Sequence, residues 1–277
     1  MERMTPPTPP HTPATSPTND LATLTITGPT ARLELNRPEQ RNALSLELLQ
    51  ALHARVDELA AAGGVTVCVI TGAGRSFCAG MDLKQIVIAS DGHEGSAPGA
   101  PLALLTSLAE LTLRLRALPC VTLARVNGAA IGGGCGLTCV CDIAVTHAEA
   151  KLGYPEVDLG LCPAVVAPWL VKKIGAGPAR AMLLRGGIMS GADAHARGLV
   201  EVCAQSAESL DNAVDEIVSR LAAGGPTALA VTKRLLNEID GSSDRDQVLR
   251  GAELSASVVV SPAAQAVLRS RLESTGR

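Results

Sequence analysis

The stretch Arg125-Val126-Asn127-Gly128-Ala129-Ala130-Ile131-Gly132-Gly133-Gly134-Cys135-Gly136-Leu137 decides how the chain reads. An apolar run, Val121 to Val126, enters a turn at Asn127-Gly128, and three consecutive glycines then open a small-residue, helix-like segment. Glycine carries no side chain to fend off other groups, so neighbours can approach its backbone closely. A helix N-terminus leaves N–H donors without partners and carries the positive end of the helix dipole. Together these features make a place to hold developing negative charge, although a tight packing turn would be written with the same residues. The choice between the two depends on what else in the chain points at this turn.

Upstream, Leu21–Thr27 and Ala31–Leu35 alternate apolar and polar residues around Gly28-Pro29-Thr30, a hairpin pattern. A polar loop, Asn36 to Leu44, follows, and Ser45 is placed to cap a helix that runs to about Ala61 on the stripe Leu48, Leu49, Leu52, Val56 and Leu59. The β-branched run Val65–Thr71 reads as a buried parallel strand. Beyond the loop Gly72–Lys84, the polar segment Ala89–Pro101 reads as mobile, and Leu102–Leu118 as a helix ended by Pro119.

Downstream of the glycines, a helix through Cys141, a strand at Asp142–Thr146 and an apolar helix from Pro163 to Ile174 are expected. Short helices near 178–185 and 191–197 and a strand at Leu199–Cys203 come next, followed by helices at 206–222, 226–239, 245–259 and 262–272. Alternating strands and helices require crossover connections and hence a parallel sheet. The organisation expected is a disordered Pro/Thr-rich tail (1–19), an α/β core (20–204) and a helical region (205–277). That last region has no strands of its own to cover, and reads as an appendage that packs on a partner subunit.

Composition excludes several classes. Aromatic residues make up 1% of the 277, so the core must be Leu, Val, Ile and Ala, and base stacking on aromatic side chains has little to use. A net charge of −3 gives no pull toward nucleic acid or an anionic membrane, and neither is expected as a partner. The eight cysteines form no C-x-x-C pair and mostly sit in apolar runs, which indicates buried free thiols in the reducing cytoplasm and no metal site. No apolar run is long enough to span a bilayer, and the first nineteen residues lack the apolar core of a secretory signal. The phosphate-loop, dinucleotide, nucleophile-elbow and zinc-helix motifs are all absent, and the five histidines are scattered.

Three ordered motifs carry a resemblance. They are Asn36-Arg37-Pro38-Glu39-x-Arg41-Asn42-Ala43-Leu44, Ile70-Thr71-Gly72-x-Gly74-x-x-Phe77-Cys78-Ala79-Gly80-x-Asp82-Leu83, and Asn127-Gly128-x-Ala130-x-Gly132-Gly133-Gly134. Over roughly residues 20 to 275 the chain resembles the crotonase superfamily, the enoyl-CoA hydratase/isomerase family. The resemblance implies an α/β spiral of repeated ββα units with a C-terminal helical trimerisation region, and a homotrimer or dimer of trimers. It implies an acyl-CoA thioester substrate of the kind met in fatty acid metabolism, and no separate cofactor, since coenzyme A is part of the substrate.

By motif position the resemblance places backbone N–H donors at Met81 and Gly133, forming an oxyanion hole for the thioester enolate, and an acid/base carboxylate at Glu156. Arg41, Ala43, Ala79, Asp82, Leu83 and Lys84 fall at substrate-binding positions, and Lys233-Arg234 is a weaker candidate for the nucleotide end. Many hydratases of the family carry a second glutamate three residues after the middle glycine. Here that position is Gly136, read as leaving room for a larger acyl group or for water. The stretch Glu156–Pro168 resembles one-glutamate hydratases of the methylglutaconyl-CoA hydratase type. A single carboxylate also suffices for a Δ3,Δ2-enoyl-CoA isomerase, and a catalytically weak acyl-CoA-binding homologue is the third reading. Hydration of a 2-enoyl-CoA is the reading preferred.

Overall fold

The hairpin forms as the alternation requires. The computed structural model describes residues 21–90, 99–242 and 244–275, with β1 (Ala22–Thr27) antiparallel to β2 (Thr30–Leu35). The expected tail, 1–19, and residues 91–98 of the expected mobile loop lie outside the described residues. On β2 the chain builds a six-stranded sheet with β3 (Val67–Gly72), β5 (Val121–Val126), β7 (Ile143–His147) and β10 (Val202–Ala204), in the order β1-β2-β3-β5-β7-β10. From β2 onward every pairing in this sheet is parallel.

Three strands of this sheet are each followed, after a tight turn, by a three-residue strand of a second sheet. These are β4 (Ser76–Cys78), β6 (Ala129–Ile131) and β8 (Lys151–Gly153); β9 (Ile188–Ser190) closes the edge, in the order β4-β6-β8-β9. The first three run parallel, and β9 is antiparallel to β8. Strands this short are invisible to pattern reading, because alternation needs four or more residues to show. Asn127 stitches two of the turns together. Its Nδ2 donates to the Gly72 and Gly74 carbonyls at 2.9 Å each, and its Oδ1 accepts from Thr71 Oγ1 at 3.2 Å. Gly128 and Gly134 are close-approach glycines: a Cβ at either would overlap a backbone carbonyl, of Arg75 and of Cys78 respectively.

The helices are α1 (Leu46–Ala61), α2 (Leu83–Ser90), α3 (Ala100–Ala117), α4 (Gly133–Val140), α5 (Ala167–Ile174), α6 (Ala176–Arg185) and α7 (Gly191–Ala196). Ser45 caps α1 as expected, its hydroxyl accepting from Leu48 N at 3.2 Å. Pro163 does not open α5; its carbonyl accepts from Val166 N and Ala167 N, so a turn comes first. The single Phe, Tyr and Trp are all fully buried, and Trp169 satisfies its indole N–H on Thr112 Oγ1 at 3.0 Å. All eight cysteines are free thiols. Burial pushes the Cys78 and Cys141 thiols up to about 12, so they act as small apolar packing groups.

The helical end comprises α8 (Leu210–Ala222), α9 (Pro226–Ile239), α10 (Arg245–Val259) and α11 (Pro262–Thr275). The view of it as an appendage with no sheet to cover is corrected here. Leu210 and Val214 of α8 pack on Val67, Val69, Leu123 and Val145, covering the outer face of the main sheet, and α10 lies along α3. The helix α8 also starts four residues later than expected, because Ser206 N is taken by Ser209 Oγ in a local turn. Among the described residues no single helix is long and apolar enough to cross a membrane.

A buried ion pair docks α9. Lys233 Nζ donates to the Cys120 carbonyl at 2.9 Å and meets Asp142 Oδ2 at 2.8 Å; that same oxygen accepts from Thr122 N at 2.7 Å. Lys233 is therefore committed to the fold, which corrects its assignment to a nucleotide end. Breaking a buried pair strands the remaining charge. Lys233→Met is expected to lower stability by about 2–4 kcal/mol, read from equilibrium urea unfolding, and an unchanged midpoint would show that the pair does not hold α9.

Candidate active site

The small sheet brings three chain segments side by side, because β4, β6 and β8 are parallel neighbours and each ends on the same side. After β4 come Ala79-Gly80-Met81, after β6 come Gly132-Gly133, and after β8 come Tyr154-Pro155-Glu156. Gly80 has φ +88°, and a Cβ there would stand 2.7 Å from the Ile131 carbonyl, so only glycine allows these two segments to touch. Leu44 N donates to the Gly80 carbonyl at 2.7 Å, and Asp82 N donates to the Leu44 carbonyl at 3.0 Å. In this parallel bridge the residue between, Met81, turns its own N–H away from Leu44.

Gly133 is the first residue of α4, so its N–H has no acceptor within the helix. Gly132 before it has φ +53°, and its N–H is fixed by the Gly153 carbonyl at 2.8 Å. A Cβ on Gly132 would stand 2.7 Å from Glu156 Oε1. The Glu156 carboxylate thus rests on the bare Cα of Gly132, beside the start of α4.

The backbone of Glu156 is held firmly, its carbonyl accepting from Leu159 N at 3.0 Å and Leu161 N at 2.8 Å. Its carboxylate is not: Oε2 is buried without a hydrogen-bond partner. Burial is the main cause that pushes its pKa up to about 7; the charge of Asp158 adds to this, and a bond from the residue's own backbone N–H works against it. The residue is half-buried overall, and its free oxygen belongs to the shielded part.

Glu156 lines a cavity of about 130 Å³ with Ala79, Met81, Leu83 and Gly133. The structure therefore brings together five of the residues singled out from sequence. The rest of the wall was not foreseen: Ile86 from α2, Leu105 and Leu108 from α3, Val165 and Val166 from the loop before α5, and Val259 from α10. Their spacing reads as ordinary core, so no sequence signal separates them from it.

Other expected residues stand outside the cavity. Arg41 is exposed, in the left-handed region at φ +53°. The Ala43 carbonyl and Asp82 Oδ2 both accept from Arg37 Nη1, at 2.9 and 2.8 Å, so Arg37 ties the first motif to the second. Asp82 Oδ1 accepts in addition from Lys84 N, while the Lys84 side chain is exposed. Gly136 is corrected: it opens no room, because Val166 packs so closely that a Cβ at 136 would overlap its Cγ1. Among the described residues no three His, Cys, Asp or Glu side chains cluster as metal ligands.

Known proteins resemble this chain along most of its length. Residues 26–270 match the family described as enoyl-CoA hydratase/isomerase. A relative in Thermus thermophilus is 37% identical over 219 residues, 79% of this chain and 85% of that one. The 2,3-dehydroadipyl-CoA hydratase of Escherichia coli is 33% identical over 207 residues, covering 74% of this chain and 77% of its own. The solved structure of an enoyl-CoA hydratase from Mycobacterium avium superposes with a TM-score of 0.78 at 30% identity, over 92% of this chain and 96% of that one. With an α/β architecture of parallel sheets ringed by helices and these matches along most of its length, the chain belongs to the enoyl-CoA hydratase/isomerase family, with the crotonase fold.

Proposed function

We propose that this chain adds water reversibly across the 2,3-double bond of a 2-enoyl-CoA thioester. The observation that carries the reading is the Glu156 carboxylate, with one oxygen unpartnered, in an apolar cavity that Met81 and Gly133 also line. The thioester oxygen sits between the Met81 and Gly133 N–H groups, which lower the cost of charge building on it. Such donors are worth on the order of 10²–10³ in rate each, because they need no reorganisation as the charge forms. Glu156 takes a proton from water as the water oxygen attacks C3, and the thioester collapses to its enolate. The carboxyl then returns the proton to C2. A carboxyl with a pKa near 7 is matched to both steps at neutral pH.

Coenzyme A enters as part of the substrate, and exposed Arg41 and Lys84 are the cations offered to its phosphates. The active form is a homotrimer or a dimer of trimers; the exposed apolar row Val231, Leu235 and Ile239 on α9 supports burial of that face against another copy.

One observation favours a second reading, a Δ3,Δ2-isomerase. Val166 fills the space beside Gly136, so among the described residues Glu156 is the sole carboxylate on the cavity wall. A lone carboxylate can carry a proton from C2 to C4 without water. Product mass separates the two reactions, because hydration adds one water and isomerisation adds nothing.

Three outcomes are expected. Glu156→Gln should lower kcat by about 10²–10⁴-fold while the Kd for a saturated acyl-CoA stays close to wild type; unimpaired turnover would remove Glu156 from the mechanism. Gly132→Ala should push the carboxylate aside and cost about 10–100-fold in kcat with ester binding retained, since small displacements of a reacting group are expensive.

The third concerns stability. The unfolded chain releases the Glu156 proton near the ordinary glutamate value of 4.5 and the native chain near 7, so native protein holds more protons between these values. The contribution of Glu156 to stability is thus complete below about 4.5 and is lost as pH rises through 7. Glu156→Gln should therefore be more stable than wild type by about 1–3 kcal/mol above pH 7, with the difference closing in acid, as measured by urea unfolding at several pH values.

A further inference from the structure

We infer that the cavity selects a neutral, apolar acyl group and rejects one that ends in a carboxylate. The inference rests on the proposed acyl-CoA reading and goes beyond it by naming the acyl class. Among the described residues three polar side chains line the cavity, Glu156, Cys162 and Ser255. Ser255 has no donor to spare for a ligand carboxylate: its Oγ donates to the Cys162 carbonyl at 2.8 Å and accepts from Ala164 N at 3.2 Å. Cys162 offers a thiol, a weak donor. Among the described residues the one ionisable carboxyl on the wall is Glu156, and as a carboxylate it repels a second one.

No Lys or Arg lines the cavity among the described residues. Arg37, one loop away, is paired with Asp82, and the Lys84 side chain is exposed. The sequence of 91–98, between the cavity-lining helices α2 and α3, contains no Lys or Arg. The wall that remains is aliphatic, formed chiefly by Leu105 and Leu108 of α3, Val165 and Val166 of the loop before α5, and Val259 of α10. This wall is also fixed. The bonds of Ser255 clip the 162–164 backbone to α10, and Gly251 lets the helix lie so close that a Cβ there would overlap the Ala164 carbonyl.

A carboxylate carried into such a wall loses its water and gains no hydrogen bond, which is among the most unfavourable exchanges a site can impose. An alkyl or alkenyl chain gains from the same transfer. This chain therefore departs in acyl preference from its 33%-identical relative, the 2,3-dehydroadipyl-CoA hydratase, whose substrate by name ends in a carboxylate.

The test pairs turnover with binding on the full-length wild-type protein. Turnover is compared for 2-hexenoyl-CoA and 2,3-dehydroadipyl-CoA, which share a chain of six carbons, and Kd for the unreactive hexanoyl-CoA and adipoyl-CoA. The expected result is a kcat/KM at least about 100-fold higher, and a Kd at least about 10-fold lower, for the uncharged member of each pair. Equal turnover or tighter adipoyl binding would overturn the selectivity and leave the hydratase reading standing. Absence of turnover with hexanoyl still favoured in binding would overturn the hydratase reading and leave the selectivity standing. Failure of both saturated esters to bind would overturn the two together.

Discussion

Everything at the site depends on one contact, the Glu156 carboxylate lying on the Cα of Gly132. It exists because β6 and β8 are parallel neighbours with no room for a side chain between their ends. The contact sets the carboxylate one residue from the free N–H that begins α4 and leaves its other oxygen shielded without a partner. The same sheet brings the end of β4 alongside, where Gly80 touches the Ile131 carbonyl. Three strands of three residues each thus assemble a shielded carboxylate and two backbone N–H groups from segments up to about eighty positions apart in the sequence.

Such a small sheet cannot hold its shape alone, and the larger one supplies the frame. Each short strand leaves a long parallel strand through a tight turn, and the turns are cross-linked by Asn127 on one side and Asn42 on the other. Asn42 is buried, accepts from Arg37 N at 2.8 Å, and donates to the carbonyls of Ala73 and Ser76 at 3.0 and 2.8 Å. It also sits at φ +56°, a conformation that asparagine tolerates better than most side chains. The polar residues of the sequence motifs are therefore largely turn builders. Arg37 belongs with them, joining the Ala43 carbonyl to Asp82, so the motif that reads as a binding sequence is in large part the scaffold of the site.

That division explains what was legible in the sequence. The hairpin, the Ser45 cap and the order of long strands and helices follow from alternation, capping and period, which are local. The convergence of Met81, Gly133 and Glu156 on one cavity was reachable because glycine positions and the motif spacing record close approach directly. The second sheet was not, since three residues carry no period, and α2 was hidden beside a segment that reads as loop. Leu105, Val166 and Val259 were illegible as site residues for a different reason: an apolar side chain that faces a ligand and one that faces a neighbour are the same in sequence. Gly136 was misread on similar grounds. A missing side chain looks like space until the neighbour that fills it, thirty residues on, is known.

The pairing of Gly136 with Val166 has a further consequence for the chemistry. Because the two occupy one volume, a carboxylate at position 136 is incompatible with the valine, and the wall is either polar at the helix or apolar at the loop, not both. With the apolar choice, no second carboxylate among the described residues lines the cavity beside Glu156. Its affinity for a proton is set chiefly by burial, so under the proposed function the wall that would accept the acyl chain also tunes the acid. Substrate class and proton affinity are then two results of a single packing decision. A polar substitution in that wall would change both, since whatever hydrates the acyl end also hydrates the carboxylate and returns its pKa toward that of an ordinary glutamate.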